Sequence, residues 1–171
     1  MVDRRLARIS GFWSTCRTTC GIVRRRNYSN ESRRTDAHSV VKYFKELLQE
    51  KVVIREAHPV TLDNSEPEPD IAVVRSPYTD YFARHPFPQD IYWLVEISNK
   101  TLKLDLDKKS VTYARNSIPE YWVIDLVNKK LIVHTQPVNN FYSQIQTLTT
   151  GTVSPQAFPD IAIALDKMLL F

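Results

Sequence analysis

Glycine is scarce: there are three in 171 residues, at Gly11, Gly21 and Gly151. A phosphate cradle of the P-loop or dinucleotide-binding type needs glycines at fixed short spacings, so both are excluded. Cysteine is scarcer still. Cys16 and Cys20 are the only two, four residues apart, with no histidine near them, whereas a structural zinc site asks for four closed ligands. They read as free thiols. His38, His58, His85 and His134 stand singly along the chain. Long apolar runs are also missing. Stretches such as Trp93 to Val95 and Met168 to Phe171 fall far short of the ~20 residues that span a bilayer. No apolar stretch follows the early arginines as in a secretory signal. The expectation is a soluble, cytoplasmic protein with no membrane partner.

What is present is an ordinary globular balance, 43% hydrophobic and 25% charged, in a length that suits one domain, or one domain with a tail. The charge is unevenly spread. Residues 1–34 hold nine arginines against Asp3 and Glu31, a balance of +7, while residues 35–171 carry 14 basic and 17 acidic residues, a balance of −3. The basic segment is either an arm that contacts phosphates without sequence preference or a solvated tail. Its lack of helical or strand periodicity favours the tail. The expected organisation is therefore an arginine-rich segment over 1–34 and a folded domain over 35–171.

Within the domain, Val40, Phe44, Leu47 and Leu48 share one face of a predicted helix over about 37–50, capped by Asp36. Short β-rich runs follow at Val52–Ile54 and Ile71–Val74, and Ser76 to Gln89, with Pro77, Pro86 and Pro88, is too proline-rich for regular structure. Ile91 to Ile97 is apolar on both faces except at Glu96, the pattern of a central strand. A second helix is predicted from near Asp105 to just before Pro119, then strands at Tyr121–Val127, Leu131–His134 and Phe141–Leu148, and a short apolar element over 161–171. Helix, strands, helix, strands predicts a mixed α/β (α+β) fold with a partly antiparallel sheet flanked by helices.

Glu96 is the anomaly. A carboxylate in a buried strand needs a cation, a metal or a raised pKa. Asp70, heading the Ile71–Val74 strand after Pro69, is the best companion, because two adjacent strands can present both carboxylates to one hard divalent cation. The dipeptide alone is weak, since Pro159-Asp160 repeats it; position opposite Glu96 carries the weight. Asp107 and Lys109 form a rival pair, two residues apart, but their segment reads as helical, where such residues face different ways. Asp105 and Asp107 then read as first-turn helix charges. Glu96 neutralised by Lys109 in a plain buried pair is the structural alternative.

The runs Pro69-Asp70-Ile71-Ala72-Val73-Val74, Leu94 to Thr101, Asp105 to Lys109 with Tyr113-Ala114, and Ile118-Pro119-Glu120-Tyr121-Trp122-Val123-Ile124-Asp125 together resemble the Uma-type restriction endonuclease family of the PD-(D/E)XK superfamily, over roughly residues 37–171. The resemblance implies a restriction-endonuclease-like core and Mg²⁺-dependent cleavage of DNA, with Mn²⁺ as a substitute. It implies metal ligation by Asp70, Glu96 and the backbone carbonyl of Ile97. The superfamily's usual lysine, two residues after the strand acid, is replaced by Ser98. The family's remedy is a lysine on the following helix, which matches Lys109, with Lys108 as the fallback. A flexible ammonium there can reach an attacking water and the charge building on a phosphate.

His38 falls where this family often carries a histidine, and reads as a capping or packing residue near the site. Tyr121 and Trp122 can be read as base-stacking aromatics, but packing of the sheet is the better reading. The sequence departs from the family upstream: residues 1–34 contain no counterpart of its Glu-Leu-Ile-Asp-Gly-Glu-like hairpin. A catalytically silent remnant that binds DNA is the alternative this departure leaves open. A homodimer would pair two sites about a two-fold axis for cleavage of both strands, although no residue pattern marks an interface.

Overall fold

A computed structural model describes residues 35–98 and 108–169. The arginine-rich segment, its boundary at residue 34, Cys16, Cys20, Asp105 and Asp107 lie outside the described residues.

Helix α1 runs over 35–48. Val40, Phe44 and Leu48 have no exposed surface and Leu47 is half-buried, the stripe their spacing predicts. Asp36 and His38 fall inside this helical span, so neither caps it. A 3₁₀ turn, Gln49–Lys51, leads into β1, Val52–Glu56. The remaining strands of the main sheet are β2 (Ile71–Arg75), β3 (Ile91–Ser98), β4 (Glu120–Asp125), β5 (Lys130–Val138) and β6 (Phe141–Leu148). Between β2 and β3 the proline-rich stretch forms only two 3₁₀ turns, Tyr78–Tyr81 and Pro88–Asp90. Helix α2, Ser110–Arg115, lies between β3 and β4.

The six strands lie in chain order across the sheet. All neighbours are antiparallel except β3 and β4. A parallel pair cannot be joined by a hairpin and needs a crossover, and α2 is the described helix of that crossover. The sheet is therefore the mixed, partly antiparallel one that the order of elements predicts.

Period-2 alternation sorts the strand residues onto two faces. Val73, Trp93, Val95, Ile97, Trp122 and Ile124 pack in one core with α1. Phe44 meets the Trp93 and Trp122 rings edge-on, at 6.1 Å from each. Ala72, Leu94, Tyr121, Val123 and Ile132 pack in a second core with Tyr113, Ala114 and Ile118 on and after α2. Both rings of the Tyr121-Trp122 pair are wholly buried, as the packing reading requires and a base-stacking role does not. The chain closes with a two-stranded ribbon, β7 (Thr152–Val153) and β8 (Ile163–Ala164), and a short helix α3, Asp166–Leu169. Val153, Ile163, Leu165 and Met168 from this closing segment join the α1 core.

Candidate active site

Register fixes the site. Ile71 of β2 pairs with Val95 of β3, so one step outward the register sets Asp70 opposite Glu96, while the β1–β2 ladder runs on to Asp70 through the bond from Ala57 N to Asp70 O at 3.0 Å. Asp70 and Ala72 therefore share a face, and Asp70 stands across from Glu96 on the α2 side of the sheet. The Asp70 carboxylate is tied to β3 directly, its Oδ2 accepting the Ile97 N–H at 2.8 Å.

Glu96 is 2% exposed, and α2 answers its charge. Tyr113 Oη donates to Oε1 at 3.0 Å, and Lys109 Nζ lies 2.7 Å from Oε2. Lys109 and Tyr113 are four residues apart, one helical turn, so both reach the same patch of sheet. The tyrosine ring is locked by an edge-on contact with Tyr121 at 5.0 Å. The Lys109 side chain is 31% exposed, so the ammonium sits where a buried acid meets solvent. Lys108, the fallback, is exposed.

Asp70, Glu96 and Lys109 are thus gathered on one side of the sheet, and Ile97 joins them through its N–H. Ser98 shares the face of Glu96, and its Oγ is buried with no hydrogen-bond partner among the described residues. His38 is not part of this group. Its Nδ1 lies 3.2 Å from Glu56 Oε2, and Glu56 pairs with Ile71, a residue of the α1 face, so His38 belongs to the opposite side of the sheet. Sequence reasoning assigns Tyr113 no role. The available signal is its spacing from Lys109, which places a hydroxyl beside whatever that lysine touches.

Other buried acids hold the frame. Glu120, 1% exposed, accepts from Trp122 Nε1 at 2.7 Å and Gln156 N at 2.8 Å. Burial raises its pKa, and these two bonds oppose the rise. Asp125 closes the β4–β5 turn by accepting from Asn128 N and Nδ2.

Two carboxylates with an adjacent backbone are an all-oxygen donor set, which suits a hard cation. Among the described residues no three His, Cys, Asp or Glu side chains converge. Magnesium characteristically takes one or two carboxylates and fills the rest of its shell with water and phosphate oxygens, so Asp70 and Glu96 fit it.

A six-stranded mixed sheet with one helix-bridged parallel pair, carrying an acid at each of two adjacent central strands, defines a restriction-endonuclease-like α+β fold. The chain belongs to the Uma2 putative restriction endonuclease family, whose model matches residues 29–166. Among solved structures it is similar to a putative nuclease from Anabaena variabilis ATCC 29413, with a TM-score of 0.65 and 11% identity over 81% of this chain and 80% of that one; at that identity the likeness is one of fold. No curated protein matches. Among the described residues no helix is long and apolar enough to cross a membrane.

Proposed function

We propose that this protein is a Mg²⁺-dependent DNA endonuclease that hydrolyses phosphodiester bonds, with Asp70 and Glu96 as metal ligands and Lys109 as the catalytic ammonium. The observation that carries the reading is the convergence of Lys109 and Tyr113 on the two oxygens of a buried Glu96 that stands across from Asp70. Asp70, Glu96 and the Ile97 carbonyl would hold the ion. When bound, Mg²⁺ or Mn²⁺ supplies Lewis-acid polarisation of a phosphate and a lowered water pKa.

The chain's own residues do the rest. Tyr113 fixes the Glu96 carboxylate by donating to Oε1, which leaves its rotamer no freedom at the moment of binding. The bond from Ile97 N does the same for Asp70. Lys109 places a positive charge at the solvent edge of the pair, where it can donate to a phosphate oxygen and stabilise charge as it develops.

Plasmid nicking in Mg²⁺ tests the reading. Asp70→Ala, Glu96→Ala and Lys109→Ala are each expected to abolish cleavage in protein that remains folded, and a variant with full metal-dependent cleavage removes its residue from the mechanism. The same 2.7 Å contact favours a second reading, in which Lys109 only neutralises Glu96 and the fold survives as a silent DNA-binding module. Duplex binding without cleavage in either Mg²⁺ or Mn²⁺ selects that reading.

A further inference from the structure

Arg55 of β1 lies on the sheet face that holds Asp70 and Glu96. It pairs with Ala72, and Asp70 is two residues along the same ladder, so the two backbones are diagonal neighbours about 7–8 Å apart. Arg55 is 7% exposed. A guanidinium this buried is ordinarily answered by a carboxylate, and among the described residues none answers it. Its partners are the Pro59 carbonyl and His85 Nδ1, each 3.5 Å from Nη2, at or beyond the long end of hydrogen bonding. The Tyr81 ring lies 5.6 Å from Cζ. Nε–H is buried and meets no acceptor among the described residues.

The acids nearby are committed elsewhere. Asp90 is held by Arg84 and by Phe87 N, and Glu56 faces the α1 side with His38. Burial pushes the Arg55 pKa down, with Tyr78 and Tyr81 opposing, but guanidinium stays charged throughout the ordinary pH range.

We propose that Arg55 is a phosphate-binding residue, and that its ligand is a phosphodiester of the DNA backbone flanking the one presented to Asp70 and Glu96. The guanidinium fork matches two oxygens of a phosphate, and because no carboxylate among the described residues holds it, binding breaks no ion pair there. Tyr81 and His85 steady the fork from the loop between β2 and β3, so β1 and that loop extend the substrate path away from α2. This assignment rests on the nuclease reading for the source of the phosphate, but not for the anion site itself.

The test uses the full chain with a short duplex in EDTA, where no cleavage occurs, and measures binding across a fourfold range of NaCl. Arg55→Gln and Arg55→Met both remove the charge, and Met keeps side-chain bulk if Gln disturbs folding; thermal unfolding verifies each. The slope of log affinity against log salt is expected to fall by about 0.9 in either variant, the loss of one phosphate contact, so the variants lose about threefold less affinity than wild type over that range. In parallel, inorganic phosphate is expected to raise the Tm of wild type and not of the variants. A folded variant with the wild-type slope and the wild-type phosphate response overturns the site. If wild type binds no duplex while phosphate still stabilises it alone, the nuclease reading and the DNA source fall together, and Arg55 stands as a site for free phosphate.

Discussion

Glu96 shows how a costly residue is kept. Burying a lone carboxylate is expensive, and here its two oxygens are given a hydroxyl and an ammonium from one helical turn. Tyr113→Phe removes the hydroxyl and keeps the ring against Tyr121, so it is expected to cost about 1.5–3 kcal/mol, the range for hydrogen bonds to charged groups. Chemical denaturation measures it, and wild-type stability in that variant would contradict the role. His134 gives a pH prediction. It is buried between Tyr121 and Tyr142, and burial holds its pKa below the ordinary value while a hydrogen bond with the Tyr121 backbone pulls the other way. The unfolded chain takes up a proton below about pH 6.5 that the folded protein resists, so this stability is full above that pH and is lost as pH falls toward the folded value. Between pH 7 and pH 5 the wild type is expected to lose more unfolding free energy than His134→Phe; parallel pH profiles would refute this.

At the scale of elements, what the sequence revealed depended on whether a pattern repeats. The α1 stripe and the apolar β-rich runs of β1 to β4 are repeated signals, and the structure follows them. Phe44, fully buried against two tryptophans, ties α1 to the sheet, and Phe44→Ala is expected to lower stability by about 3–5 kcal/mol, read as a shifted denaturation midpoint. A change under 1 kcal/mol would mean that α1 is not anchored there. Single-residue signals were harder to read. The sequence predicts a strand ending at His134, yet β5 runs to Val138 through Pro137. The β4 ladder stops at Thr135, so residues 136–138 have one unpaired edge, and proline is tolerated in such positions. Asp70 and Glu96 were legible because a charge at a strand end or in a buried strand breaks an otherwise apolar run. Lys109 was not distinguishable from a solvated helix face without the family pattern. Arg55 carries no signal of its own in the sequence, because a strand's inward side cannot be known before its neighbours are placed.

At the largest scale, the described domain is built on a six-stranded sheet with a core on each face. Leu94 and Ile124 are both fully buried but belong to opposite cores. Leu94→Ala and Ile124→Ala should each cost about 2–5 kcal/mol and move one shared cooperative transition; separate transitions by two probes would show that the faces unfold independently. The same sheet positions the proposed site, because its register sets Asp70 across from Glu96. The most direct measurement is calorimetric titration of Mg²⁺ or Mn²⁺ into the folded protein, beside Asp70→Asn and Glu96→Gln, with plasmid nicking on the same samples. Saturable binding in wild type, lost in both variants together with nicking, is the predicted result. A folded wild-type protein with no saturable binding would contradict it, leaving a nuclease fold in which Glu96 and Lys109 are a structural pair.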